Sequence, residues 1–163
     1  DSQIPGVVSV VIVPDSEQAN PLPSEATLRT VCAHLNQHRL LTSEVYAIPP
    51  TYHQVKIEAD IIARAEADLA QVKHAVEDRL TTYFHPLKGG EDGAGWVFGR
   101  DIFYSEVYRA ILQVAGVDRI KDNQLVIWLD GERQQFCRDV NIAEGELLYT
   151  DGHTIRVSYS MGT

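Results

Sequence analysis

Val7 to Val13 (VVSVVIV) is an almost unbroken β-branched apolar run closed by Pro14, and this pattern predicts a strand buried on both faces. Asp15 to Pro23 then reads as a loop. Ser24 is placed to cap a following helix with Glu25 in its first turn, and Leu28, Val31, Cys32 and Leu35 recur at helical spacing as its inner stripe. That helix should end near Arg39. Glu44 to Ile48 forms a second short strand stopped by Pro49-Pro50. From Tyr52 the chain alternates, with Val55, Ile57, Ala59 and Ile61 on one side and Gln54, Lys56, Glu58 and Asp60 on the other, which predicts a half-exposed strand.

Leu69, Val72, Val76, Leu80 and Tyr83 repeat at i, i+3, i+4 spacing through Phe84, marking a long amphipathic helix that Pro86 ends. His85 to Arg100 (HPLKGGEDGAGWVFGR) holds five glycines and two aromatic residues, the composition of a shaped loop. Ser105 is positioned to cap a third helix carrying Val107, Ile111, Leu112 and Ala115, with Gly116 just past its end. Leu125 to Leu129 reads as a strand, Asp130-Gly131 as a turn, and Thr154 to Tyr159 as a strand entered through Asp151-Gly152. The order β-α-β-β-α-α-β-β is close to a split βαβ arrangement. It predicts an α+β fold, a mainly antiparallel sheet or sheets with helices packed on one face. If there are two lobes, they should divide at the Gly-rich loop, into residues 1–88 and 89–163.

Composition narrows the function classes. The 163 residues are 44% hydrophobic and 23% charged, as in a folded domain with one or two cores. Fourteen basic against twenty-three acidic residues give a formal charge of −9, so no sequence-wide attraction to phosphate backbones or anionic membranes is available, and nucleic acid is not an expected partner. No stretch approaches the roughly 18 apolar residues of a membrane-spanning helix, and the opening lacks a secretory-leader pattern, so synthesis in the cytoplasm without membrane insertion is expected. The chain opens on Asp1-Ser2-Gln3 without an initiator Met, which suggests an excised piece of something longer. Cys32 and Cys137 stand far apart and outside any C-x-x-C pair; both read as buried small hydrophobes.

Catalytic and cofactor motifs are weak. His34 and His38 have the i, i+4 spacing that can place two imidazoles on one metal, but Leu35-Asn36-Gln37 lies between them and supplies no glutamate for a general base. Gly93 to Gly99 (GAGWVFG) has its last glycine one position late for a dinucleotide fingerprint and follows a helix where a strand is required. No G-K-[ST] tripeptide or G-x-S-x-G elbow occurs. Glu91 and Asp92 lack the spaced ligands of a calcium loop. Hence no catalytic residue, no cofactor and no metal site is expected, and the glycines are better read as turns that let Trp96 and Phe98 plug the loop into a core or a partner. A small metal-dependent hydrolase using His34 and His38, and a stand-alone binding module, are the alternatives.

One composite pattern is more specific. P-x-Y-x-x-V-x-I-x-A (Pro50, Tyr52, Val55, Ile57, Ala59) is followed by the long helix and then by Phe84 to Arg100 with Ile102, Ser105, Glu106 and Val107, and by Val114 to Val117. This succession resembles the C-terminal part of the baseplate J-like group of baseplate assembly proteins, which implies a C-terminal fragment of a longer protein. The resemblance implies a structural, non-enzymatic wedge component of a contractile phage tail, tailocin or phage-tail-like injection particle. Such a subunit assembles around the central hub or spike and rearranges on sheath contraction. Its implied partners are other baseplate wedge subunits and central hub or spike proteins, with possible self-association, and its implied location is the baseplate of the assembled particle.

Within that implied role, Trp96, Phe98 and Arg100 are the first interface candidates, since aromatic residues and arginine are favoured in interface cores. The strand edge around Lys56, Glu58 and Asp60 is the second. Exposed edges invite strand addition, although charges there also protect against it.

Overall fold

In a computed structural model, which describes residues 6–160, these periodicities resolve into two compact units divided between Thr51 and Tyr52. Asp1, Ser2 and Gln3, on which the reading as a fragment rests, lie outside the described residues.

The first unit contains β1 (Val7–Val11), α1 (Glu25–His38) and β2 (Glu44–Ile48). β1 and β2 pair in parallel, with Val7 opposite Glu44 and Val11 opposite Ile48, and α1 is the crossover between them. Ser24 caps α1 as expected, its Oγ accepting the Thr27 N–H at 3.1 Å. The stripe Leu28, Val31, Cys32 and Leu35 is only half-buried, with Cys32 Sγ 3.8 Å from the Val45 carbonyl. A strand buried on both faces is therefore not what Val7–Val13 forms. β1 is shorter and half-exposed, with Val8 50% accessible, because the sheet has two strands and a single helix against it.

The second unit contains β3 (Thr51–Ala63) apart from its first residue, α2 (Leu69–Tyr83), α3 (Tyr104–Leu112), β4 (Val117–Leu129), β5 (Glu132–Arg133), β6 (Glu146–Tyr149) and β7 (Thr154–Tyr159). The sheet runs β5-β4-β3-β6, with β7 also on β3. β4 is antiparallel to β3, from Val55 opposite Leu129 to Ala63 opposite Val117, and β7 is parallel to it, from Glu58 opposite Thr154 to Ala63 opposite Tyr159. Val55, Ile57, Ala59 and Ile61 are buried on one face, together with Val72, Val76 and Leu80 of α2 and Val107 and Ile111 of α3. The molecule is thus α+β, with the element order the periodicities predict and two short strands, β5 and β6, added.

The expected boundary at 88/89 falls inside this unit. All the strands that pair with β3 follow the Gly-rich loop, so β3 and α2 fold with the C-terminal elements. β4 also begins well before Leu125. Asp122 and Asn123 both take φ 53°, where the register against β3 shifts between Ala59 and Ile61, and this break hides the first half of the strand from a period-2 reading. The Tyr104 hydroxyl fills the break: it accepts the Leu125 N–H at 3.2 Å and donates to the Asn123 carbonyl at 3.4 Å.

Ser105 is inside α3 and does not cap it. The Tyr104 N–H is taken at 2.8 Å by Asp139 Oδ1, a carboxylate brought in by the chain folding back. Cys137 is exposed at φ 54° in that returning segment, which corrects its reading as a buried hydrophobe; Cys32 is half-buried.

Candidate interaction site

The Gly-rich loop is held from within. Gly89 N–H bonds the His85 carbonyl (2.8 Å), Gly90 N–H the Tyr83 carbonyl (2.8 Å), Gly95 N–H the Gly89 carbonyl (3.0 Å) and Trp96 N–H the Pro86 carbonyl (2.9 Å). The backbone folds so tightly that a Cβ on Gly89 would lie 2.3 Å from the Tyr83 carbonyl oxygen. Trp96 is 3% exposed. Its ring meets Tyr83 edge-on at 5.6 Å and lies 5.5 Å from Phe84, and its Nε1–H donates to the Arg100 carbonyl at 3.2 Å.

Of the interface candidates, Trp96 is placed in the core of this chain, its ring filling the space that the loop and the end of α2 enclose. Arg100 stacks its guanidinium 5.2 Å over the Trp96 ring and donates from Nη2 to Glu106 Oε2 at 2.7 Å. The same carboxylate oxygen accepts the Tyr83 hydroxyl at 3.1 Å, and burial together with Glu106 pushes the Tyr83 pKa up to about 12, so this hydroxyl stays a donor.

Beyond Trp96 the loop turns outward. The Arg100 N–H bonds the Val97 carbonyl at 3.1 Å, closing a turn with Gly99 at φ 67°, and the Gly99 N–H bonds the Glu146 carbonyl at 2.9 Å. A Cβ on Gly99 would stand 2.9 Å from Glu144 Cα. At the tip, Val97 is 63% and Phe98 43% exposed. The loop thus presents two adjacent apolar side chains on a base fixed by Trp96, Arg100 and Glu106.

Lys56 and Glu58 are placed differently from the expectation. β3 is central in its sheet, flanked by β4 on one side and by β6 and β7 on the other, so these residues lie on a sheet face and not on an edge. On that face Glu58 accepts Trp128 Nε1–H at 3.3 Å and Arg156 Nη2 at 3.0 Å, while Arg156 Nε also pairs with Asp60. Gln54, Lys56, Glu58, Trp128 and Gly131 line a shallow cavity of about 210 Å³.

Two of the four histidines in this unit, none of them a sequence candidate, stand against its sheet. His53 Nδ1 and Nε2 each lie 2.5 Å from a carboxylate oxygen, of Asp130 and Glu146 respectively. The Asp130 hydrogen bond, seconded by Glu146, raises the His53 pKa against the opposing effect of partial burial. His153 behaves in the opposite way. Its Nδ1 accepts the Ile57 N–H at 3.1 Å between the ends of β6 and β7, and burial lowers its pKa to about 4. No local motif marks either residue, since their partners are brought in by the sheet.

His34 and His38 are exposed on α1 with ring centroids 4.8 Å apart, and His38 Nδ1 lies 3.0 Å from the His34 carbonyl. Among the described residues, no group of three or more His, Cys, Asp or Glu side chains is arranged to hold a metal ion. No described helix is long and apolar enough to cross a membrane.

The fold therefore defines an α+β domain whose distinctive feature is an internally braced glycine loop with an apolar tip. The model of the Baseplate J-like protein C-terminal domain matches residues 55–145, more than half of the chain, and the chain belongs to this family. The same fold is found in a chain of the cryo-EM structure of the anti-feeding prophage (AFP) baseplate, 6-fold symmetrised, at 18% identity and a TM-score of 0.68. That similarity covers 91% of this chain and 31% of the other, so this chain spans about a third of its length. No curated protein matches.

Proposed function

We propose that this chain is a structural, non-enzymatic wedge component of the baseplate of a contractile tail or phage-tail-like injection particle, assembling around the central hub or spike and rearranging on sheath contraction. Membership of the baseplate J-like family over residues 55–145 carries this reading, because the match runs from β3 through the whole glycine loop to the start of β6. Its partners are other wedge subunits and hub or spike proteins. The contact with them is made by Phe98 with Val97 at the loop tip, flanked by Arg100, and by the sheet face carrying Lys56 and Glu58. Apolar side chains exposed on a rigid base suit docking, since little side-chain or loop freedom is lost on binding.

The test is to tag the gene at its native locus, purify the product gently and image it by negative-stain electron microscopy. Sheathed tubes with the tag at one end are the expected outcome; small soluble particles alone overturn the reading.

A further inference from the structure

β1 has an unpaired edge among the described residues, and the direction of its free groups is fixed. The Glu44 N–H bonds the Gly6 carbonyl at 2.7 Å and the Ile12 N–H bonds the Ile48 carbonyl at 2.9 Å. In a parallel pair, alternate residues turn both backbone groups towards the neighbour. Even-numbered residues of β1 therefore face β2, and Val7, Ser9 and Val11 direct their N–H and C=O groups outward. Edges of this kind are ordinarily blunted by charge, proline or a bulge. β1 reads Val-Val-Ser-Val-Val, with none of these.

The order of those residues selects the occupant. The segment is the same read in either direction, so an antiparallel pairing centred on Ser9 sets Val7 against Val11 of the partner subunit, Val8 against Val10 of the partner subunit and Ser9 against the partner's Ser9. In that register each hydrogen-bonded pair joins two odd-numbered residues, which are the ones with free groups. No charged side chain lies on either strand, so nothing on the edge opposes the approach of an identical edge. Side-chain faces agree as well. Val45 and Ala47, half-buried on the β2 face that α1 covers, share their face with Val8 and Val10, whereas Tyr46 and Ile48 are exposed and share theirs with Val7, Ser9 and Val11. A twofold axis through Ser9, perpendicular to the sheet, keeps both helices on one side and closes the assembly at two copies.

We propose that β1 pairs antiparallel with β1 of a second copy of this chain, Ser9 opposite Ser9, making one four-stranded sheet from two two-stranded ones. The inference is independent of the baseplate reading. It rests on hydrogen-bond parity and on the symmetry of five residues.

Sedimentation of the full chain across micromolar to millimolar concentration, with residue-resolved amide exchange on the same samples, tests it. The mass should rise from 18.2 kDa towards twice that value. Protection at Val7, Ser9 and Val11 should rise with it, while Val8 and Val10, bonded to β2, stay protected throughout. Ser9→Pro removes an outward N–H that β2 does not use, and an edge strand tolerates proline there. Ser9→Lys sets like charges face to face. Each should weaken association by at least roughly tenfold, with Val8 and Val10 protection unchanged.

A chain that stays monomeric at every concentration overturns the proposal, and so does capture of a different chain on this edge by a protein that does not self-associate. A dimer in which Val7, Ser9 and Val11 exchange freely, or one that both variants leave intact, overturns it equally. The amide pattern is read on the unmodified chain and decides the matter whether or not a variant folds.

Discussion

Two aromatic residues separated by a single valine have opposite fates in the glycine loop. Trp96 is enclosed by Tyr83, Phe84 and the Arg100 guanidinium, and Phe98 stands out at the tip. Trp96→Ala should lower the unfolding free energy by about 3–5 kcal/mol, as for other buried aromatics. Phe98→Ala should stay within about 0.5 kcal/mol of the parent, as an exposed substitution does, while reducing incorporation into particles. Denaturant unfolding and co-purification read the two effects separately. The histidines oppose each other in the same way. His153 has a folded pKa near 4, below the ordinary 6.5, so the stability it permits is present above pH 6.5 and is lost as pH falls towards 4, by up to about 3 kcal/mol. His53 is raised, so its clasp between Asp130 and Glu146 is full below pH 6.5 and is lost as pH rises through its folded pKa. Thermal melting against pH should show both limbs, with His53→Gln flattening the alkaline one and His153→Asn the acidic one.

At the scale of elements, the loops are fixed by close backbone approach. Gly89 and Gly145 make a matched comparison. A Cβ on Gly89 would meet the Tyr83 carbonyl at 2.3 Å, whereas Gly145, at φ 82°, has nothing within 4 Å. Gly145→Ala should cost only the strain of a left-handed residue, about 1–2 kcal/mol. Gly89→Ala must displace backbone and should cost more, which denaturant unfolding of the two variants side by side would rank. Helix α1, with its Ser24 cap, was legible because the signal lies within one turn of chain. The start of α3 was not, because its cap, Asp139, comes from a segment beyond β4 and β5.

Over the whole molecule, burial is uneven. Among the described residues the buried aliphatic and aromatic core lies in the second unit; the first unit buries only Pro21 and Pro50, and α1 buries none of its side chains completely. Local opening should therefore be easier in the first unit. In amide exchange at dilute, monomeric concentration, α1 should exchange at least about tenfold faster than α2 and the centre of β3. Equal rates in the two units would show that they open as one. The uneven burial also fits the baseplate reading, in which surfaces that a single chain leaves open are completed by assembly.

The helices, most strands, the α+β class and the glycine loop with its family signature were legible in the chain alone, because each is written in a period, a cap or a motif within a short stretch of residues. Even the two candidate aromatics were visible as a pair. Which of them is inside was settled by the packed fold, since nearby positions in an irregular loop have no fixed period to sort them. It also decided that β3 is central, that Val7–Val11 has an unpaired edge among the described residues and that His153 supplies the acceptor for Ile57 N–H. Those outcomes depend on strands and side chains brought together from distant parts of the chain, and the number of strands available to cover a given apolar run is a property of the assembled sheet, which no local pattern encodes.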